Sequence, residues 1–225
     1  MNLRHPTGPC PAAMKKAQGR QRLPATTNIR LARPGGFTLT ELLVIMAIIA
    51  IFASFAIPSF RGLVANTSVS SAVNAFVSDT RYARGEAMRR GKSVTMCRSA
   101  NAAAVPPRCS GAGDPTVGSW MEGWVVFVDE NGNGAFNAAN DTVLRVQQTL
   151  PGIGSFLAVN NSGNATHDRN YIVYQATGRA VGLLSRWLVQ APGAPGAANT
   201  SHTRTLCMNF VGRVRTLQGG IPCPA

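Results

Sequence analysis

At 225 residues, 45% of them hydrophobic, the chain fits one ordinary globular domain with appended segments. Its 22 Lys and Arg against 9 Asp and Glu give a net charge of +13, which points to anionic partners such as nucleic acid or phospholipid head groups. Three scattered histidines (His5, His167, His202), no CxxC pair and no GxSxG, HExxH, P-loop or GxGxxG pattern argue against an enzyme, and no metal or other cofactor is expected.

Residues 1–36 hold seven basic side chains between Arg4 and Arg33 and no acid, so 15 basic and 9 acidic residues, a charge of +6, remain from Phe37 onward. Met14-Lys15-Lys16 offers a second translational start within this leader. From Phe37 to Ile57 the sequence FTLTELLVIMAIIAIFASFAI carries Glu41 as its single charge, a length that crosses a ~30 Å hydrocarbon layer as a helix. Positive charge before that run predicts an N-in, C-out orientation with a periplasmic C-terminal part. A secretory signal peptide would have an apolar region of ~7–15 residues and an A-x-A-like cleavage site, and neither is present. Glu41 is costly in such a segment and calls for a partner. Cleavage between Gly36 and Phe37 would supply one, a new amino terminus four residues away that can pair within the chain or between neighbouring helices.

Gly36-Phe37-Thr38-Leu39-Thr40-Glu41 followed by LLVIMAIIAI resembles the class III signal of type IV prepilins and type II secretion pseudopilins. The resemblance implies that a prepilin peptidase cuts after Gly36, that Phe37 becomes the N-methylated first residue, and that Glu41 guides docking of the subunit among other pilins in a filament. Pro58 matches the proline that kinks the helix in that family.

Beyond Pro58, apolar positions at Val69, Val73, Phe76, Thr80, Ala83 and Ala87 step by three and four and predict an amphipathic helix to about Arg90. It joins the membrane segment into a spine roughly 80 Å long at 1.5 Å per residue. Gly91 is a suitable stop, and Arg89, Arg90 and Lys92 suit the negative end of the dipole. From Ser93 the pattern changes to short β-like runs at 93–97, 123–129, 142–147, 171–175, 183–189 and 205–211, separated by Gly, Pro and Asn clusters. Stretches 101–119 and 190–201 read as exposed loops. Asp129-Glu130-Asn131-Gly132-Asn133-Gly134 begins like a calcium loop, but its twelfth position is Asn140 where a bidentate Glu is needed, and an Asn-Gly hairpin is the stronger reading.

Arg81–Ala87 running on to Gly91–Cys97, and Gly123–Asp129 with its Asn-Gly pair, resemble the GspH/FimT family of pilin-like proteins. The expected fold is α+β: a long N-terminal helix, transmembrane in its first half and amphipathic in its second, packed on an antiparallel β-sheet head. The expected domains are a cleaved leader (1–36), a transmembrane and filament-core helix (37–58) and a periplasmic head (59–225), in a subunit anchored in the inner membrane.

Cys10 lies in the leader. Cys97, Cys109, Cys207 and Cys223 form two sequence-local couples that suit disulfides in an oxidising periplasm, with nearest-neighbour pairing the natural guess among the three connectivities that sequence leaves open. A bridge between Cys207 and Cys223 would close a ring containing Gly212-Arg213-Val214-Arg215, whose two arginines project to one face in an extended chain. Paired guanidinium forks suit phosphates. Gly212, Arg213 and Arg215 match the Gly-Arg-x-Arg motif of FimT minor pilins, and the resemblance implies sequence-independent, salt-sensitive binding of double-stranded DNA during natural transformation. Arg204, Arg179 and Arg186 are expected to add to the same positive surface. Phe210 is assigned to the core. A purely structural minor pilin and a type II secretion pseudopilin are the competing readings.

Overall fold

The computed structural model describes residues 36–110, 119–160, 170–181, 185–193 and 202–224. One helix, α1, spans Leu39–Arg90, and the chain divides into two units at Met46 and Ala47. In the first unit Thr38 caps the helix. Its Oγ1 accepts the Glu41 backbone N–H at 3.2 Å, and its carbonyl accepts that of Leu42 at 3.2 Å. Thr at the cap with Glu three residues on is the capping-box pattern, so Glu41 also has a local role at the positive end of the helix dipole. Among the described residues no single helix is long and apolar enough to cross a membrane. The bent pair Leu39–Phe55 and Phe60–Arg90 meets that test jointly by length and composition. Its break falls on the residues around Pro58, whose missing N–H removes a helical hydrogen bond.

In the second unit Val69, Val73, Phe76, Thr80, Ala83 and Ala87 are all buried, as their spacing predicts. Phe76 is the centre of the core: its ring lies 5.0–5.5 Å from those of Trp120, Trp124, Phe156 and Trp187, mostly edge-to-face. The strands are β1 (Val94–Arg98), β2 (Trp124–Val128), β3 (Thr142–Gln147), β4 (Ser155–Val159), β5 (Tyr171–Tyr174), β6 (Ala180–Val181), β7 (Ser185–Gln190), β8 (Thr203–Met208) and β9 (Val214–Gln218). They form two antiparallel sheets, β3-β2-β1-β5-β6 and β4-β7-β8-β9. Six strands coincide with predicted runs, while β4, β6 and β9 are additions. All three are sheet edges, and β6 is only two residues long.

The Asn-Gly hairpin needs correction: β2 and β3 do pair, but through the whole stretch 129–141 and not a two-residue turn. Asp129 accepts Thr95 Oγ1 at 2.7 Å and the N–H groups of Gly134 and Asn133 at 2.9 and 3.2 Å. Asp141 accepts those of Asn137 and Glu130 at 2.7 and 3.1 Å. These carboxylates hold the loop together through backbone donors. Among the described residues no group of three or more His, Cys, Asp or Glu side chains could hold a metal ion.

Disulfides join Cys97 to Cys109 and Cys207 to Cys223. The first lies on the outer face of β1, where Cys97, Val125 and Phe127 form a small second core with Cys109 and Phe136. Among the described residues every buried side chain lies at or beyond Val69, so the described core and both sheets lie wholly within the head from Arg61 onward, and no residue before it contributes to them.

Candidate nucleic-acid interface

The geometry of the Gly-Arg-Val-Arg segment follows from one loop. Between β8 and β9 the Asn209 N–H donates to the Arg213 carbonyl at 3.1 Å, the Gly212 N–H to the Asn209 carbonyl at 2.9 Å, and the Arg213 N–H to Asn209 Oδ1 at 2.9 Å. A three-residue hairpin loop of this kind ends on a left-handed residue, and Gly212 has φ of 75°. Space imposes the same choice: a Cβ at Gly212 would sit 2.6 Å from Tyr174 Cε1. Tyr174 is buried, and its hydroxyl donates to the Gly212 carbonyl at 3.5 Å. Burial raises its pKa well above the ordinary phenol value, so it remains a neutral donor.

From this anchored glycine the chain emits Arg213 and Arg215, both exposed, on either side of Val214, which packs against the core. Alternation therefore turns the two arginines together away from the core. Opposite Arg215 across the sheet is Cys207, half of the ring-closing disulfide. Arg179 is exposed on the turn between β5 and β6, where the Gln175 N–H donates to the Arg179 carbonyl at 2.9 Å. That turn meets the β8–β9 loop: the Gly178 carbonyl lies 3.4 Å from a Cβ position at Gly212, and a Cβ at Gly178 would meet Met88 Sδ at 2.7 Å and Arg84 Nε at 3.3 Å. Tyr174, Gly178, Arg84 and Met88, none of them singled out by the sequence, thus support the loop. Only the glycines, as positions where backbone approaches a neighbour, carried a sequence signal.

Three expectations are corrected. Arg186 is not part of an exposed surface: it is buried, opposite Cys207, and its Nη2 donates to the Gly220 carbonyl at 2.6 Å, tying down the C-terminal segment. Burial lowers its pKa from the ordinary guanidinium value. Arg204 pairs with Gln218, two positions along from Leu206 and Thr216, so it belongs to the face of the sheet opposite Arg215. It is half-buried, with Nη1 donating to the Thr203 carbonyl at 2.9 Å. Phe210 is not a core residue: it stands at the loop tip, 61% exposed.

Charge along the chain adds to this picture. Residues 37–168 contain nine basic and nine acidic side chains, whereas residues 169–225 contain six arginines and no acid. The whole +6 that follows the leader therefore belongs to the C-terminal segment that builds β5 to β9. Among the described residues no carboxylate pairs with Arg179, Arg213 or Arg215.

The model of the prokaryotic N-terminal methylation motif matches residues 31–57, and that of the type II transport protein GspH matches residues 72–217. Comparison with curated proteins gives no match. Among solved structures, the type IV minor pilin FimU of Pseudomonas aeruginosa is similar in two crystal forms. One shows 16% identity and a TM-score of 0.44 over 69% of this chain and 95% of FimU. The other shows 14% and 0.42 over 70% and 96%. With its helix, two antiparallel sheets and N-terminal methylation motif, and with a family model spanning well over half its length, the chain belongs to the GspH family of pilins and pseudopilins, subunits that a prepilin peptidase processes and that assemble with other pilins into a filament.

Proposed function

We propose that this subunit is a minor pilin of a type IV pilus that captures extracellular DNA for natural transformation through Arg213 and Arg215. The observation that carries the reading is the pair of exposed guanidinium groups on one face of a disulfide-closed hairpin, set in a segment with no acidic residue. Such a surface attracts a polyanion by counterion release and carries no base information, so binding is sequence-independent and falls steeply with salt. Arg179 extends the surface from the adjacent turn. The rest of the assignment is that of a processed pilin: cleavage after Gly36, methylation of Phe37, Glu41 pairing with an amino terminus in the filament, a helix of residues 37–58 kinked at Pro58 in the inner membrane, and a periplasmic head of residues 59–225.

The test is an anisotropy titration of duplex DNA with the head, residues 61–225, against its Arg213→Ala/Arg215→Ala variant. Two neutralised phosphates give a log–log salt slope of about −1.8, and the variant loses binding. A wild-type head that does not bind, or a variant that binds equally, overturns the reading. A type II secretion pseudopilin, the reading that the family's description favours, would then take its place.

A further inference from the structure

The Phe210 side chain is the feature that phosphate binding leaves unexplained. Two guanidinium groups and a positive field suffice to hold a DNA backbone, yet the residue at the tip of the same loop is a 61% exposed phenylalanine, followed by Val211, 37% exposed. The tip is not a slack segment on which an apolar residue strays into solvent. Asn209 fixes it through three hydrogen bonds, Gly212 is wedged against Tyr174, and the disulfide closes the ring behind it. The loop thus presents the Phe210 ring on a braced backbone, just ahead of the first guanidinium group at Arg213 and in a stretch, residues 169–225, that has no carboxylate side chain.

We infer that Phe210 is a base-stacking platform, and that the β8–β9 loop takes a DNA strand with unpaired bases, holding its phosphates on Arg213 and Arg215 and one base on the Phe210 ring. The inference rests on the DNA-binding reading and narrows its ligand. An interior base pair of a duplex has both faces covered by its neighbours, whereas an unpaired base offers a free π-face to an aromatic side chain beside a positive groove. Charge complementarity favours a polyanionic occupant over an apolar one, because the exposed ring and valine directly precede the exposed Arg213 and Arg215 in a stretch without an acidic side chain. Every base has a π-face, so the contact adds affinity without sequence preference.

The experiment titrates the head, residues 61–225, into labelled oligo-dT, an abasic strand of the same length and a blunt duplex. Proteins compared are the wild type, Phe210→Ala, Phe210→Leu, Phe210→Trp and Arg213→Ala/Arg215→Ala, with folding checked by circular dichroism. The wild type is expected to prefer oligo-dT over the abasic strand by roughly 5- to 150-fold, the equivalent of one stacked base. Phe210→Ala and Phe210→Leu erase that preference and leave duplex affinity unchanged, while Phe210→Trp keeps it. Equal affinity for oligo-dT and the abasic strand, with Phe210→Ala silent and the double arginine variant inactive, overturns the stacking inference and leaves the DNA-binding reading standing. Absence of binding to all three probes overturns both. Phe210→Ala that impairs filament assembly with DNA affinity unchanged makes the tip a contact between subunits and also overturns the inference.

Discussion

Replacing Gly212 with alanine perturbs the loop in two separable ways. The residue has φ of 75°, a left-handed conformation that costs an L-residue about 1–2 kcal/mol. In addition, the new Cβ would lie 2.6 Å from Tyr174 Cε1, so the buried ring must retreat by about 0.8 Å to regain ordinary contact. Overpacking of this kind costs about 1–3 kcal/mol, giving about 2–5 kcal/mol in total. Gly91 supplies the control: its φ is 65°, but nothing lies within 4 Å of its Cβ position, so Gly91→Ala bears only the conformational term. Urea unfolding of the head, followed by the fluorescence of the buried Trp120, Trp124 and Trp187, measures both. We expect Gly212→Ala to be the less stable variant by about 1–3 kcal/mol. We also expect it to weaken DNA binding, because Arg213 follows directly, while Gly91→Ala leaves binding intact. Equal destabilisation by the two substitutions would refute the claim that Tyr174 holds the loop in place.

Opening the C-terminal ring with Cys207→Ser/Cys223→Ser removes a cross-link of sequence separation 16. The chain-entropy model gives a loss of about 3 kcal/mol in the same unfolding assay. The Glu86 carboxyl is pulled down to about 2, first by its hydrogen bond from Arg89 and then by that from Arg90. Because the folded-state pKa is depressed, its contribution is fully present above the ordinary carboxylate range and is lost as pH falls from about 4.5 towards 2. Since its partners Arg89 and Arg90 are exposed and solvent screens the pairs, the effect is small: far-ultraviolet dichroism of the head should show a slight loss of helix across that window, and Glu86→Gln should abolish it.

Much of the fold is legible because its strongest signals are periodic. Six apolar positions at helical spacing name the buried face of α1, and six β-branched or aromatic runs name strands. What escapes is what periodicity does not encode. β9 reads VRTLQ, too polar to announce a strand, and exists because β8 offers it a ladder across a three-residue loop. Arg204 groups with Arg215 in the sequence but not in the fold, because the face that it occupies depends on register, and register depends on that loop's length, whereas Arg186 shares the face of Arg215 and is buried there. Once Met208 pairs with Val214, Arg204 falls on the opposite face, and Arg186, opposite Cys207, falls beneath the C-terminal segment. Phe210 reads as a core residue on its type alone. It is exposed because hairpin tips face solvent whatever they carry. Glu41 reads as a residue for the membrane and the filament, yet the Thr38 cap three residues before it also accounts for a glutamate at this position.

The division of charge explains why the head presents a positive face although its total charge is modest. Five of its eight acids are committed to structure. Asp79 accepts the Trp124 indole N–H at 2.8 Å and pairs with Arg145, Glu86 pairs with Arg89 and Arg90, and Glu130 pairs with Lys92. Asp129 and Asp141 hold the β2–β3 connection through backbone donors. Several cations of the helix and the first sheet are thus matched locally, at distances where screening by salt is weakest. Arg179, Arg213 and Arg215 have no such match among the described residues, and the nearest stretch of sequence offers none. Arg61, Arg81 and Arg108 are likewise exposed with no carboxylate partner among the described residues, but they lie on α1 and in the loop after β1, whereas Arg179, Arg213 and Arg215 belong to the stretch 169–225, which holds no acid at all. A partner that recognises the head by charge should respond strongly to changes at Arg213 and Arg215 and weakly to changes at Arg89 or Lys92, whose charges the protein has already neutralised.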